Sequence, residues 1–415
     1  MKLFKILFTY FVIILFFINN SFVFADDIDF ESDEIVSDYI SASSKIITEP
    51  QINSRAAIVL DRNTGMILFG KNENEKRKMA STTKIMTAIV VIENSNLDDI
   101  VTISKKAAGT GGSRLGLHYN DKISIRNLLY GLLLCSGNDA AVALAESVGG
   151  SVENFSVLMN NKCHDLNLNS THFVTPHGLD NEDHYTTAYE LALITNYALK
   201  NDTFLKIVGT KHYTITINNS SKNLSNTNEL LGYLDGVYGV KTGFTNGANR
   251  CLVTSVNRNG LDIICVVLGA DTKKDRTRDS VDLIDYIYKN YELVNVKDKI
   301  NTEFNNWKLC NNSSFTITKG VSNYLDLYLE NLNYDFIPVN RNLINSLSIY
   351  IYCNYILNAP LYNNSDIGYL TVSLDNSTII TLKIKNSNSI LKKNITDYIQ
   401  DLSANYVHNL ESIFF

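Results

Sequence analysis

The sequence has few cysteines for its length, and no two of them stand in a C-x-x-C pair. Its 415 residues include six, which are Cys135, Cys163, Cys251, Cys265, Cys310 and Cys353. Structural zinc sites and dense disulfide frameworks both need clustered cysteines. The spacing therefore predicts neither of them, and it leaves any disulfide pairing open.

Positive charge is also scarce. The 37 lysines and arginines are outnumbered by 43 aspartates and glutamates, which gives a formal net charge of −6. Domains that bind nucleic acid usually carry an excess of basic residues. The charge balance therefore argues against a nucleic-acid partner.

The N-terminus lacks the uninterrupted run of about 20 apolar residues that a membrane-spanning helix needs. Two lysines precede a shorter apolar stretch, and Val23 and Ala25 stand at the −3 and −1 positions of a cleavage site. This pattern predicts a secretory signal peptide over residues 1–25 and an exported protein, with a retained membrane anchor as the alternative. The acidic, serine-rich residues 26–52 are predicted to form an extended spacer.

Residues 53–295 have the pattern of one domain of catalytic size. Apolar runs on both sides of the turn RNTG predict a two-strand hairpin, and three further strands are predicted between residues 236 and 270. Between these strands, the runs ISIRNLLYGLLL and DAAVALAESV predict buried helices. This order of elements predicts an α/β or α+β fold in which helices cover an antiparallel sheet.

The rest of the chain has a different pattern. Segments such as SLSIYIYC and GYLTVSL alternate apolar and polar side chains, which predicts a small β domain over residues 296–388. Residues 389–415 place apolar side chains at helical spacing, which predicts an amphipathic C-terminal helix. Its apolar stripe could dock on the protein or lie in a membrane surface, and the sequence leaves both alternatives open.

Three short motifs occur in order along the first domain: STTK at 81–84, SGN at 136–138 and KTG at 241–243. Each motif alone is weak, since Ser-x-x-Lys recurs at 389–392. The contexts of the three motifs make the set more specific. A serine and a lysine three positions apart at a helix start lie side by side, and the helix N-terminus offers free N–H groups to a developing oxyanion.

A serine hydroxyl is a weak nucleophile until a neighbouring base takes its proton. Lys84 could be that base for Ser81 if it were buried beside a second cation, because both effects lower the pKa of a lysine. Lys241 is the candidate for the second cation. Gly243, at the end of the predicted strand, would let a substrate backbone approach closely.

Together with their flanking sequences, these motifs resemble the serine-type D-alanyl-D-alanine carboxypeptidases, the low-molecular-mass penicillin-binding proteins. The resemblance is strong over residues 50–290, where the matching segments include AAIVLDRNTGMILFGKNENEKRKMASTTKIMTA, LLYGLLLCSGNDAAVALAE, THFVTPHGLD and GVKTGFTNGANRCLVTSV. It implies the penicillin-binding/β-lactamase-like transpeptidase fold and catalysis without a metal or an organic cofactor. It also implies peptidoglycan stem peptides as substrates and β-lactam antibiotics as covalent inhibitors.

Carried over by position, the resemblance implies catalytic roles for four residues. Ser81 would be the acylated nucleophile and Lys84 its general base. Ser136 would relay a proton to the leaving D-alanine. Asn138 would anchor Lys84 and a carbonyl of the substrate.

The resemblance also implies a set of substrate-binding residues. Lys241 would stay charged near Ser136, and Thr242 with Arg276 would bind the terminal carboxylate of the substrate. The backbone N–H of Phe244 would form the oxyanion hole with that of Ser81.

Two alternatives remain beside a D-alanyl-D-alanine carboxypeptidase. A class A β-lactamase needs a glutamate that activates the deacylating water, and residues 167–180 contain none. A penicillin-binding wall scaffold without turnover is the other alternative, against which the complete motif set argues. His177 and His184 are interpreted as structural, because the mechanism already has its base.

Overall fold

The computed structural model describes residues 48–414, and the side chains of residues 48–407. The predicted signal peptide and most of the predicted spacer therefore lie outside the described residues. The chain divides into two compact units between Lys289 and Asn290.

The first unit contains β-strands and a block of helices. In chain order its elements are β1 Ala56–Asp61, β2 Ile67–Lys71, α1 Lys84–Asn94, β3 Ile100–Thr102, α2 Lys105–Ala108, β4 Lys122–Ser124, α3 Ile125–Leu133, α4 Asn138–Gly149, α5 Val152–Asp165, α6 Ala188–Ala198, α7 Asp202–Val208, β5 His212–Ile217, β6 Ser220–Ser225, β7 Val237–Thr245, β8 Asn249–Arg258, β9 Leu261–Ala270 and α8 Lys273–Asn290.

The main sheet of this unit has five antiparallel strands in the order β2-β1-β9-β8-β7. Every residue of β1 is buried, which indicates that both faces of the sheet are covered. The helix α6 packs against β1 and β9. The predicted fold class, an antiparallel sheet covered by helices, is confirmed. The strand β7, which carries the KTG motif, lies at one edge of the sheet.

The helix α1 is the centre of the helical block. It packs against α3, α4, α5 and α6, and its residues from Lys84 to Val91 are all buried. A helix that other helices surround needs apolar residues on every face. The lysine at its first position is consequently held inside the unit.

The second unit is a small β domain with a helix at each end. Its elements are β10 Tyr291–Asn295, α9 Val296–Asn311, β11 Thr316–Thr318, β12 Leu327–Leu329, β13 Phe336–Asn340, β14 Ser348–Cys353, β15 Ile356–Asn358, β16 Asp366–Leu374, β17 Ser377–Asn386 and α10 Ile395–Phe414. Four strands form a sheet in the order β12-β17-β16-β14. Ile349 lies opposite Val372 and Ile351 opposite Leu370, so the apolar side chains of the two strands share one face.

The structure differs from the predicted element bounds at three places. The second unit begins with β10 because that strand pairs with β13. The helix α9, which the sequence analysis did not predict, begins where the side chain of Asn295 caps it. The last helix begins at Ile395, because Asn394 and Asp397 exchange backbone and side-chain hydrogen bonds of 2.7 and 3.0 Å there.

All six cysteines lie in the described residues, and each of them is free. Between residues 48 and 414 we find no helix with the length and apolar character that crossing a bilayer would need.

Candidate active site

Ser81 lies on a single 3₁₀ turn, Ala80–Thr83, that leads directly into α1. The hydroxyl of Thr82 donates to the carbonyl of Met79 at 2.6 Å and closes this turn. Ala80 has a φ of 49°, a left-handed conformation that residues other than glycine seldom adopt and that concentrates at functional sites. The turn places Ser81 at the helix N-terminus with only 6% of its surface exposed.

The amine of Lys84 lies at the centre of a hydrogen-bonded cluster. Its Nζ is 2.6 Å from Ser81 Oγ, 2.8 Å from Asn138 Oδ1 and 2.9 Å from the carbonyl oxygen of His177. Lys84 has no exposed surface. If the amine donates to Asn138 and His177, its lone pair can face the Ser81 hydroxyl, which is the geometry that a general base requires.

The SGN motif forms the joint between α3 and α4. Ser136 has a φ of 60°, and its buried Oγ makes no hydrogen bond within residues 48–414. A Cβ on Gly137 would come within 2.9 Å of the backbone nitrogen of Leu115, so only glycine fits beside this neighbouring loop. Asn138 donates from Nδ2 to the carbonyl of Gly111 at 3.0 Å. Its Oδ1 is thereby directed at Lys84.

Asp139, which the sequence analysis missed, fixes the loop that covers this joint. Its carboxylate accepts hydrogen bonds from the backbone nitrogens of Leu115, Gly116 and Leu117, at 2.7, 2.8 and 2.9 Å. The side chain is fully buried. The signal in the sequence was an acidic residue in the first turn of a helix, which on its own indicates only a favourable interaction with the helix dipole.

The KTG motif brings the edge strand β7 against the turn of Ser81. A Cβ on Gly243 would lie 3.1 Å from the backbone nitrogen of Ser81 and 3.2 Å from the Cβ of Ala80. The absence of a side chain therefore allows the strand to approach the nucleophile closely. Because β7 is an edge strand, its outer side is open to pairing with an extended peptide.

Lys241 is 1% exposed, and its Nζ donates to the carbonyl of Thr242 at 3.0 Å. Burial lowers the pKa of Lys241 to about 7; the nearby Cys135 thiol opposes this shift, and the positive charge of Arg276 adds to it. Cys135 directly precedes Ser136, so the Lys241 amine lies near the SGN joint. Its role as the second cation stays a prediction, because a lysine with this pKa is charged in only about half of the molecules at pH 7.

Two predicted substrate-binding residues contact side chains outside the motifs. The hydroxyl of Thr242 is 2.8 Å from that of Thr227. The guanidinium of Arg250, which lies opposite Phe244 on the neighbouring strand, stacks 3.8 Å from the centre of the Phe244 ring. This contact fixes the ring beside the edge of β7.

Arg276 lies in the first turn of α8 and is 4% exposed. Its Nη2 donates to the carboxylate of Glu229 and lies 3.3 Å from the hydroxyl of Thr277. The arginine was predicted from the sequence, but its carboxylate partner was not. Nothing in the local sequence of Glu229 distinguishes it from a solvated loop residue.

His184 connects the loop before α6 to the turn that carries Ser81. Its Nε2 is 2.8 Å from the hydroxyl of Thr83, and its Nδ1 accepts a hydrogen bond of 3.0 Å from the backbone nitrogen of Val174. Burial lowers the pKa of His184 to about 4 and that of His177 to about 3. Both imidazoles are therefore neutral at pH 7, and neither contacts Ser81.

No group of three or more histidine, cysteine, aspartate or glutamate side chains within the described part of the chain is arranged to hold a metal ion. Ser81 instead supplies a hydroxyl in contact with the buried amine of Lys84, and the neighbouring β7 and α8 supply the buried amine of Lys241 and the arginine Arg276, which interact electrostatically with each other. This set suits covalent acyl transfer to a serine from a substrate that carries a carboxylate.

The sequence profile of the D-alanyl-D-alanine carboxypeptidase family matches residues 43–272, which is more than half of the chain. D-alanyl-D-alanine carboxypeptidase DacF of Bacillus subtilis is 36% identical over 262 residues, covering 62% of this chain and 67% of the relative. D-alanyl-D-alanine carboxypeptidase DacA of Escherichia coli is 31% identical over 355 residues, covering 83% of this chain and 85% of the relative.

Solved structures agree with these relatives. The structure of penicillin binding protein 5 from Haemophilus influenzae has a TM-score of 0.69 and 28% identity, and the match covers 83% of this chain and all of the other. The structure of D-alanyl-D-alanine carboxypeptidase DacD from Francisella tularensis has a TM-score of 0.67 and 27% identity, with 85% of this chain and 98% of the other covered. The chain therefore belongs to the D-alanyl-D-alanine carboxypeptidase family of serine-type peptidases.

Proposed function

We propose that the protein removes the terminal D-alanine from peptidoglycan stem pentapeptides through an acyl-enzyme on Ser81. The observation that carries this proposal is the distance of 2.6 Å between Ser81 Oγ and Lys84 Nζ, two atoms of buried side chains at the start of α1. A hydroxyl in contact with an amine can transfer its proton as it attacks a carbonyl carbon.

The reaction proceeds in two steps. Ser81 Oγ attacks the carbonyl carbon of the D-Ala-D-Ala bond while its proton passes to Lys84, and the backbone N–H groups of Ser81 and Phe244 bind the oxyanion. The C–N bond then breaks, and Ser136, whose Oγ makes no hydrogen bond in the described structure, relays a proton to the departing amine. Water hydrolyses the ester and leaves a tetrapeptide and free Ser81.

The remaining residues position the substrate. Asn138 holds Lys84 through its Oδ1 and contacts a carbonyl of the substrate peptide. Lys241, in its protonated form, provides positive charge near Ser136. Thr242 and Arg276 bind the terminal carboxylate. Penicillin enters the same site and acylates Ser81, from which it is released slowly.

Glu182 and Glu190 follow residues 167–180 in the chain, and their contacts favour this function over that of a class A β-lactamase. Glu190 accepts hydrogen bonds from the backbone nitrogens of Asn169 and Ser170, at 2.9 Å each, and from the hydroxyl of Thr171. Glu182 is paired with Lys78 at 2.8 Å. Each of these two carboxylates already has a partner in the protein. Rapid hydrolysis of penicillin by a class A β-lactamase needs a glutamate that activates water instead.

The test is D-alanine release from a purified stem pentapeptide by protein lacking residues 1–25, with Ser81→Ala as the matched variant. We expect release by the wild type and none above background by Ser81→Ala, because alanine removes the hydroxyl that lies 2.6 Å from Lys84 Nζ. A pentapeptide ending in L-Ala-L-Ala should not be cleaved. Stoichiometric labelling by penicillin without any D-alanine release would instead support a wall scaffold, and rapid penicillin turnover would support a β-lactamase.

We also propose that the protein is exported and that α10 lies on a membrane surface. The helix presents six exposed apolar or aromatic side chains, Ile395, Tyr398, Ile399, Leu402, Tyr406 and Val407, each at least 43% exposed. Only Lys392 and Lys393 provide positive charge nearby, and Lys393 is paired with Asp401 at 2.6 Å. Burial of the apolar stripe, rather than attraction to anionic lipid, would therefore drive binding.

Co-sedimentation with phosphatidylcholine vesicles tests this attachment. The protein without residues 1–25 should bind the vesicles, and a variant that also lacks residues 395–415 should remain in the supernatant. Replacing part of the lipid with phosphatidylglycerol should change binding less than twofold, since few basic residues adjoin the stripe. Equal binding by the two proteins would rule out α10 as the attachment.

A further inference from the structure

The carboxylate of Glu229 is paired with Arg276, the residue that is proposed to bind the terminal carboxylate of the substrate. Arg276 is 4% exposed and the Glu229 side chain is 26% exposed, and Nη2 of the arginine donates to Oε2 of the glutamate. A buried guanidinium without a counter-ion is strongly unfavourable. Glu229 therefore stabilises Arg276 in the free enzyme.

An incoming carboxylate meets a guanidinium whose Nη2 is already engaged by Glu229. Nη2 also lies near the Thr277 hydroxyl, and Nε is buried without a hydrogen-bond partner in the described structure. Strong recognition of a carboxylate by arginine uses two parallel N–H donors. Because Glu229 already engages one side of the fork, a second carboxylate must share the arginine with it or displace it.

The segment that carries Glu229 also contacts the other proposed carboxylate ligand. Thr227, two residues earlier, pairs its hydroxyl with that of Thr242 at 2.8 Å. Two local hydrogen bonds span Thr227 and Glu229: the side chain of Asn226 accepts from the backbone nitrogen of Asn228 at 3.0 Å, and that of Asn228 accepts from the backbone nitrogen of Leu230 at 3.2 Å. These local bonds fix the segment, so Glu229 is held at the carboxylate subsite.

We propose that Glu229 is a positioning and specificity residue, a built-in counter-ion that exchanges with the substrate's terminal carboxylate on Arg276. It weakens the binding of ligands that end in a carboxylate, including the product D-alanine, and it restores the charge balance of Arg276 when D-alanine leaves. This inference rests on the proposed function, because it assigns the terminal carboxylate to Arg276.

The measurement is D-alanine release by Glu229→Gln, resolved into KM and kcat. The glutamine keeps a hydrogen-bond acceptor for Arg276 but removes the competing charge. We expect KM for the D-Ala-D-Ala pentapeptide to fall about three- to tenfold, since the pair is partly exposed to solvent. Inhibition by added D-alanine should strengthen by a similar factor, and KM for the pentapeptide carboxamide should not change.

Two further variants serve as controls. Glu229→Asp keeps the charge and should resemble the wild type in its response to D-alanine. Asp285→Asn removes the same charge from another ion pair on α8, in which Arg258 and Asp285 are each 18% exposed and 3.3 Å apart. Asp285 is nine helical residues, about 14 Å, beyond Arg276, so KM and D-alanine inhibition should remain those of the wild type.

Several results would overturn the proposal. KM and D-alanine inhibition could be the same in Glu229→Gln and the wild type, or they could change equally for the acid and the carboxamide. A rise in KM for the acid alone would mean that Glu229 only orients Arg276. Penicillin labelling of Ser81 reports the folded fraction of each variant. If the wild type released no D-alanine, the proposed function itself would be wrong. That failure is distinguishable from failure of the Glu229 proposal, because it is seen in the wild type before any variant is compared.

Discussion

Replacing Lys84 with methionine is expected to slow the acylation of Ser81 by penicillin about 10⁴-fold, the upper range for the loss of a general base. Lys84 Nζ is the basic nitrogen that contacts Ser81 Oγ, whereas His177 and His184 direct their imidazoles elsewhere. Methionine fills a similar volume without a nitrogen. The rate of labelling by a fluorescent penicillin, followed over hours, measures the effect.

Loss of structure is the main competing explanation for such a decrease, because Lys84→Met also removes the donor to Asn138 Oδ1 and to the carbonyl of His177. Each buried acceptor left without a donor costs about 1–3 kcal/mol. Lys71→Met is a matched control, since Lys71 Nζ donates to two backbone carbonyls at 2.8 Å and lies on β2, at the sheet edge opposite β7. Labelling by Lys84→Met within tenfold of the wild type would exclude Lys84 as the base.

The sequence was sufficient to predict the main sheet and the helical block, because their side-chain patterns are local. The residues of β1, β8 and β9 form short apolar runs between turns, and α4 is an almost continuous apolar helix. Periodicity of this kind depends on burial alone. The three motifs could be identified for a related reason, since each combines a reactive side chain with a small residue or a helix start.

The contacts that position these motifs could not be predicted, because they join residues far apart in the chain. Asp139 is bound to a loop 22 to 24 residues earlier, and Arg276 is paired with a glutamate 47 residues earlier. An acidic residue in a loop or at a helix start has an ordinary solvated role in most sequences. Only the folded chain distinguishes Glu229 and Asp139 from such residues.

The 3₁₀ turn that carries Ser81 could not be predicted from the sequence pattern either. The spacing of Ser81 and Lys84 fits an α-helix and a 3₁₀ turn equally well, because both bring residues three apart to one side. The left-handed conformation of Ala80 occurs in a turn that packs against β7, a strand more than 150 residues later in the chain. Local propensity for alanine would favour a regular helix instead.

Acidification from pH 6.5 to pH 4 is expected to lower the free energy of unfolding by about 3 kcal/mol through His184 alone. Because its Nδ1 accepts the backbone N–H of Val174, the proton of the neutral ring lies on Nε2 and is donated to Thr83. Protonation of Nδ1 would direct two N–H groups at each other. Burial is the main cause of the lowered pKa, to which His172 adds and which Asp180 opposes.

The direction of the change follows from the two pKa values of His184, about 4 in the folded protein and about 6.5 when unfolded. Between these values the unfolded chain binds one proton more, so the contribution of His184 to stability is fully present above pH 6.5 and decreases as the pH falls.

His184→Asn, which can still accept from Val174 but cannot titrate, should be less stable at pH 7 and lose less stability on acidification. Urea unfolding at four pH values between 4 and 7 gives the dependence of the free energy of unfolding on pH. If this dependence were equal in His184→Asn and the wild type, His184 would not be a source of the loss of stability at low pH.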